Sequence, residues 1–589
     1  LLRWATLTLA GTSVAFHLYL IFSGLVPNLL SRPIHLALAL PWVFLLSQRP
    51  QGAAERRIGY LLCAAGVFGC LYVALFRDAL SDQYGSLDGV LQYGIAIALL
   101  LVVLDMARRA IKLALPTVAV LALTYGLFGQ HLPGEFGHPG IPVDSFLGTL
   151  TIAEGGIWGQ LTGVSVNVVA VFVMLGAFVG AGEGGAGFMA LATRLAGRYR
   201  AGAAKVSVLS SALFGSISGS ASANVASTGA ITLPTMKRLG YPAPFAAAVE
   251  AVASTGGQIM PPLMGAGAFV MVELLRTGYN QIMAAAILPA LLFFWGVWLS
   301  VDQYARQVGL QGMRPEELPD RRTLLATAPF FLVPFGILLG MLFLTDYTPQ
   351  YAAGVAIIAA AILLITDRNG RVRAPEAGRR LEKALVDAAR QIAGIASIIV
   401  CAGIVIGVLN MTGLGIKVTS LIVGFAGGNL WIALLYTALA CLILGMEVPT
   451  TAAYIICVSV AGPALQSLGL PALHAHLFIF WFALLSTITP PVCGTVFIAA
   501  GMAETPWIPT AIQAMRLGLG LYLVPLAFVA NPALIQPDQV PVAATAALFK
   551  IALGLWLLAR GVSAWGDSPW LRVLALAGGL VVIFAMPID

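Results

Sequence analysis

Charge is what this sequence most lacks. Asp, Glu, Lys and Arg make up only 10% of its 589 residues, against about 25% in an average soluble domain. So little charge excludes an ordinary water-soluble fold. The alternating ten-residue segments of an outer-membrane barrel are also missing. No basic cluster is interleaved with aromatics. The net charge of +7 therefore points to lipid contact and orientation, and no nucleic-acid partner is expected. Cysteine is sparse. Cys63, Cys70, Cys401, Cys441, Cys457 and Cys493 form no CxxC pair, and most lie inside apolar runs. They read as small buried apolar residues. The six His form no HxxxH or HExxH pattern, so no metal site beyond a Na⁺ site is expected. An intramembrane enzyme would need a Ser with a His, paired Asp or a His-rich site within a span, and no such constellation is present.

What fills the chain instead is apolar sequence. Hydrophobic residues make up 59% of it, and its mean hydropathy is +0.92. Apolar runs recur, each long enough to cross a hydrocarbon core as a helix. They predict an all-α polytopic membrane protein with about 15 transmembrane segments. The first run, "LLRWATLTLAGTSVAFHLYLIFSGLV", has no small-residue cleavage site and reads as a retained span.

Two apolar segments do not read as plain spans. Residues 203–235 and 429–463 are each broken near the middle by Gly, Pro and hydroxyl residues. Lys and Arg decide their topology. With "SQRPQGAAERR" and "ARRAIK" in the cytoplasm, the N-terminus is cytoplasmic and the C-terminus periplasmic. If both broken segments enter and leave on one side, roughly 27 of the 32 basic residues face the cytoplasm. A through-crossing at either reverses the loops beyond it. The charge bias thus predicts two re-entrant helical hairpins, one from each side.

A repeat at a shift of about 230 residues supports this. "LGYPAPFAAAVEAVASTGGQIMPPL" matches "LGLPALHAHLFIFWFALLSTITPPV". LGxP opens both, and a Pro-Pro pair comes at the same distance (Gly240 to Pro261, Gly469 to Pro490). A broken hairpin precedes each. The charge reading starts one unit outside and the other inside, so this is an inverted repeat, a pattern of transporters.

Irregular backbone at membrane depth belongs where protein buries it or where it lines a wet cavity. Each Pro-Pro pair lacks two donors and leaves carbonyls upstream unpaired. Half-helix C-ends offer carbonyls to cations, and N-ends offer amides to anions. One predicted ion site combines Ser218, Ser220 and Asn224 at the first hairpin tip with Ser254, Thr255 and Gly256. A second combines Gly445, Pro449, Thr450 and Thr451 with Thr487 and Thr489. Ser222, Gly257, Gln258, Ser486 and Thr495 are the substrate-binding candidates. The alternative is that the small residues only let helices pack closely. Glu250, in an interrupted span, and Glu447, at the second tip, are candidate proton carriers; for Glu250 the alternative is a buried hydrogen-bonded carboxyl or a pair with a nearby base.

These residues carry a resemblance. "GRYRAGAAKVSVLSSALFGSISGSASANVASTGAITLPTMKRLGYPAPFAAAVEAVASTGGQIMPP" closely resembles the large membrane subunit of tripartite ATP-independent periplasmic (TRAP) transporters. "GMEVPTTAAYIICVSVAGPAL", "LFIFWFALLSTITPPV" and "AMRLGLGLYLVPLAFVANPALI" look like the TAXI-type branch, in which small and large subunits are commonly fused. The resemblance implies a small-subunit-like four-helix scaffold in residues 1–106. It implies a first inverted repeat in 107–322, a linking span in 323–349 and a second repeat in 350–530. Residues 531–589 form a two-span tail with no assigned role.

It further implies secondary uptake of a small carboxylate across the bacterial inner membrane. A periplasmic TAXI-type substrate-binding protein delivers the substrate. No cofactor is implied beyond Na⁺ or H⁺ as the coupling ion, and the expected motion is an elevator. The acidic Glu447 departs from a neutral tip and leaves room for H⁺. The alternatives are a stand-alone divalent-anion:cation symporter that needs no binding protein, an intramembrane enzyme and a passive channel.

Overall fold

The structure, a computed structural model, describes residues 2–46, 52–111, 113–367, 370–372, 374–446, 449–563 and 569–585. It is helical almost throughout; among these residues the only bridge between extended strands joins Thr366 and Val372. Eight described helices are long and apolar enough to cross a membrane, or up to nine if one bent pair is a single span. The sequence predicts about fifteen crossings. The difference lies in shorter apolar helices, among them halves of the broken spans. At 1.5 Å per residue, the 14-residue helix Ala243–Gly256 covers roughly 21 Å of a roughly 30 Å core. It stops inside.

The chain opens with Leu2–Phe22, Asn28–Phe44, Ala53–Leu75 and Gly89–Ile111. Two buried histidines tie this region to the helix that starts at Gln160. His17 Nδ1 meets Ser13 O at 2.7 Å, His17 Nε2 meets His35 Nδ1 at 2.8 Å, and His35 Nε2 meets Ser165 Oγ at 3.0 Å. Arg32 is largely buried. It donates to the Trp158 carbonyl and pairs with Glu154 at 3.2 Å.

Two similar units come next. The first runs Gln160–Ala181, Gly184–Ala196, a hairpin of Gly202–Ser218 and Ala221–Arg238, a broken helix of Ala243–Gly256 and Ala266–Leu275, then Tyr279–Val308. The second runs Ala374–Thr412, Leu414–Phe425, a hairpin of Leu430–Leu444 and Thr450–Ser467, and a broken helix of Ala472–Leu485 and Gly494–Met502. Trp507–Leu517 and Leu519–Ala530 complete it.

The repeated sequence signals land on equivalent turns. Gly240 and Gly469 both take φ in the left-handed region, +81° and +94°. Glycine does this without a Cβ penalty, which ends each hairpin. Pro242 and Pro471 then sit just before the next helix, where a missing N–H costs nothing. Pro261–Pro262 and Pro490–Pro491 fall in the two breaks, and both peptides are cis.

The basic stretch "DRNGRVRAPEAGRRLEK" is helical from Ala374 onward, where it forms the first turns of a 39-residue helix, Ala374–Thr412. Ala, Glu, Arg, Leu and Lys are strong helix formers, and Pro375 falls in the first turn. The tail forms Pro541–Ser563 and Pro569–Phe584. Lys550 donates to Asn531 Oδ1 at 2.7 Å, so this intramembrane cation faces protein.

Candidate functional site

The first hairpin turns at Gly219, whose φ of +60° ends the first arm in the left-handed conformation. Ser220 then caps the second arm, its Oγ accepting from Ala223 N. A Cβ built on Gly219 would lie 3.6 Å from Met264 O and 3.9 Å from Ala266 N. The tip therefore abuts the start of the second half-helix of the break.

Behind the tip the packing is tighter. A Cβ on Gly215 would fall 2.3 Å from Gly257 Cα and 2.7 Å from Asn224 Nδ2. No side chain fits between arm and break. Asn224 is fully buried there. Its Nδ2 donates to the carbonyls of Ser211 (2.9 Å) and Ser254 (3.3 Å), tying the arms to the broken helix. Its Oδ1 has no hydrogen-bond partner among the described residues. Buried amide oxygens are normally satisfied, so this one stands out.

The second unit repeats the close approach. A Cβ on Gly445 would fall 2.2 Å from Ser486 Oγ. Ser486 Oγ donates to Ala483 O at 2.7 Å. The Thr487 carbonyl accepts from Thr495 N (3.2 Å) and Thr495 Oγ1 (2.6 Å), which braces the second break. The two breaks then meet. Thr255 Oγ1 and Thr487 Oγ1 lie 3.1 Å apart.

Glu250 occupies a separate pocket one turn before the first break. It is fully buried. Ser207 (2.7 Å), Ser254 (3.2 Å), Ser211 (3.4 Å), Thr228 and Thr232 all offer hydroxyls to it. Among the described residues its hydrogen-bond partners are all hydroxyls. A carboxylate accepts at about four positions, so this shell can satisfy its lone pairs. Burial without such partners would be prohibitive. The carboxyl thereby fastens both hairpin arms to the broken helix.

The family described as "Tripartite ATP-independent periplasmic transporter, DctM component" matches residues 98–542, both units included. The chain belongs to that family. It is the membrane component of a TRAP transporter, a permease and not an enzyme. The C4-dicarboxylate TRAP transporter large permease protein DctM of Pseudomonas aeruginosa is 28% identical over 338 residues, 57% of this chain and 77% of that protein. The isethionate TRAP transporter permease protein DctMQ of Oleidesulfovibrio alaskensis is 24% identical over 457 residues, 77% of this chain and 65% of that one. DctM of Rhodobacter capsulatus is 21% identical over 374 residues, 60% of this chain and 84% of that one.

Within this permease, the candidates from sequence separate into groups. Asn224, Ser254 and Gly257 come together at the first break. Gly445 and Ser486 come together at the second, and Thr255 and Thr487 between the breaks. Thr450 is buried just after Pro449, which caps the second arm, and Thr451 is half-buried beside it. Gln258 is buried, with its carbonyl accepting from Gly265 N at 2.7 Å. Others point elsewhere. Gly256 packs against the Phe293 ring, where a Cβ would lie 2.2 Å from Cε1. Thr489 turns to Tyr522, 2.6 Å from its hydroxyl. Ser222 is exposed on the second arm. The Ser218 side chain and Glu447 lie outside the described residues.

The sequence reading allows a buried hydrogen-bonded Glu250 but names neither its hydroxyl partners nor Gly215. A signal was present. Ser207 and Ser211, Thr228 and Thr232, and Glu250 and Ser254 are all i, i+4 pairs. Each pair shares one helix face. Only the fold turns the three faces together.

Proposed function

We propose that this permease imports a small organic carboxylate by ion symport, with Na⁺ as the driving ion. It works with a TAXI-type periplasmic substrate-binding protein in the bacterial inner membrane. Supporting the cation reading is the buried Asn224 Oδ1 without a hydrogen-bond partner among the described residues, on an amide whose nitrogen is fixed by the Ser211 and Ser254 carbonyls at the first break. Neutral oxygens at a half-helix end suit a small hard cation. The carboxylate reading is favoured by the start of Ala266–Leu275 facing the first tip, an amide-rich end suited to an anion. It is also favoured by the C4-dicarboxylate permeases among the relatives. The isethionate permease makes a sulfonate the competing substrate class.

For the motion, an elevator is the reading. Hairpins and broken helices move as one body, held together by the Thr255–Thr487 contact. The inverted repeat supplies two such units of opposite orientation, as alternating access requires. Residues 1–106 are proposed as the small-subunit-like scaffold, fastened through His17, His35 and Ser165. Glu447 stays the candidate for proton coupling on sequence grounds. Glu250, enclosed by hydroxyls, is assigned a fastening role.

Uptake into proteoliposomes tests the whole reading. Transport should need the cognate binding protein and an inward Na⁺ gradient together. Uptake of free substrate without the binding protein would instead favour a stand-alone symporter.

A further inference from the structure

The two broken helices are unequally covered. In the first, residues 266–271 of the half-helix Ala266–Leu275 are all buried. In the second, Phe497 and Met502 of Gly494–Met502 are exposed, and a Cβ on Gly494 or Gly501 would meet nothing within 4 Å. Part of the cover over the first half-helix is helix Gln160–Ala181. Phe172 of that helix stacks on Phe269, with ring centroids 4.1 Å apart and planes at 14°. Phe269 stacks in turn on Tyr279 at 4.8 Å. At the end of this seam Gln160 Nε2 donates to Glu273 Oε1 at 2.7 Å.

These contacts join two different bodies. Helix Gln160–Ala181 is fastened to the N-terminal helices. His35 meets Ser165 within it, and Arg32 donates to the Trp158 carbonyl just ahead of it. Arg32 is held by Glu154 at 3.2 Å, and its charge also attracts Glu273. Ala266–Leu275 belongs with the hairpin instead. It continues the broken helix whose first half is tied to the first hairpin through Asn224 and Glu250. An aromatic stack tolerates sliding, because a range of offset arrangements is favourable. A hydrogen bond to a carboxylate does not, because it needs close approach and good alignment. The seam can therefore slide, and its polar end sets the register.

We infer that Gln160 and Glu273 form a latch that holds the first broken helix against the N-terminal body and closes the seam on the periplasmic side. The inference rests on the elevator reading: the charge bias starts this unit outside, and a moving body must break the latch to open that side. The surroundings suit a contact that breaks and re-forms. Gln160 is exposed and Glu273 is half-buried, so water can take over both groups when they part. One hydrogen bond to a charged group biases a two-state equilibrium by about tenfold or somewhat more, and a bias of that size does not lock it.

The test uses the full chain in liposomes, with Gln160→Cys and Glu273→Cys combined. The six native cysteines are all buried and add little background. A short bifunctional thiosulfonate should bridge the pair without binding protein, substrate or Na⁺, as read by peptide mass. Bridged permease should lose most of its uptake, and dithiothreitol should restore it. Arg3→Cys with Glu382→Cys is the control pair. Those side chains meet at 2.8 Å between the first helix and Ala374–Thr412, which packs along the first two helices. Its bridge should leave uptake intact. Failure of the latch pair to bridge, or full uptake after bridging, would overturn the inference. A second readout needs no transport. Spin labels at Leu25 and Arg276, both exposed, report the separation of the two bodies. Gln160→Ala should raise the ratio of longer to shorter separations by about tenfold, the weight of the lost bond. An unchanged distribution would also overturn the latch. A shift in distances from a permease that shows no Na⁺-driven uptake would uphold the latch and count against the import reading alone.

Discussion

Thr255 and Thr487 join the two halves of the permease, hydroxyl to hydroxyl at 3.1 Å, across a separation in sequence of 232 residues. Each hydroxyl also reaches back to its own helix, Thr255 to Ala251 O and Thr487 to Leu484 O. Neither is left unsatisfied if its partner is removed. Thr255→Val and Thr487→Val should therefore each cost little, about 0.5–1.5 kcal/mol. The double variant should cost less than the sum, because the residues share one interaction. Thermal unfolding of the purified permease gives the cycle, and strict additivity would deny the coupling.

Asn224 is predicted to govern cation dependence. Asn224→Asp keeps the free oxygen but loses the amide that ties Ser211 to Ser254. Asn224→Leu loses both. Na⁺ activation of uptake should weaken at least tenfold in Asn224→Leu, about 1.4 kcal/mol of binding. If half-saturation by Na⁺ is unchanged, the Asn224 oxygen is not a ligand.

Glu250 separates a fastening role from proton carriage. Glu250→Gln keeps the size and one acceptor, and its hydroxyl partners can rotate to suit. Glu250→Leu removes an acceptor from Ser207, Thr228 and Thr232; Thr228 and Thr232 keep the Asn224 and Thr228 carbonyls, so the loss falls mainly on Ser207, at about 1–3 kcal/mol. The Leu variant should melt well below the Gln variant. Uptake by Glu250→Gln should keep the pH profile of the parent. A flattened profile would return Glu250 to the proton route.

Gly215 and Gly336 offer a matched comparison. A Cβ at Gly215 meets the Gly257 backbone at 2.3 Å, whereas one at Gly336 meets nothing within 4 Å. Gly215→Ala should destabilise by about 1–3 kcal/mol through overpacking. Gly336→Ala, inside helix Pro329–Leu344, should be neutral or stabilising by up to about 1 kcal/mol. Equal melting temperatures would mean that the hairpin does not sit against the break in solution.

His35 is predicted to hold the N-terminal helices in place. It bridges His17 and Ser165 in a buried chain. His35→Phe should leave His17 Nε2 and Ser165 Oγ without this partner and lower the melting temperature. His35→Asn should recover part of the loss by restoring a donor and an acceptor. Limited proteolysis between residues 112 and 160 should accelerate in the Phe variant and less in the Asn variant.

Much of this architecture was legible in the sequence because its causes are local. Low charge and long apolar runs dictate membrane helices. LGxP and Pro-Pro mark a left-handed Gly and a helix break wherever they occur, so the repeat could be read by eye. The tip and break residues were likewise visible as hydroxyls and glycines where a span should be smooth. Asn224 and Ser254 stand out in the sequence on that ground.

The tertiary structure decided which of these groups face one another. Local sequence gives Thr489 and Thr487 the same character, yet one turns to Tyr522 and the other to Thr255. Gly256 and Gly257 are neighbours, but one packs on Phe293 and the other on Gly215. Helix rotation sets those choices, and rotation results from packing over the whole interface. The hydroxyl shell of Glu250 draws on three helices, so no single stretch encodes it. The sequence alone determined a membrane-buried, twice-repeated, hydroxyl-lined permease. Only the fold assigned each oxygen its partner, because a hydrogen bond depends on ångström-scale approach between segments far apart in the chain.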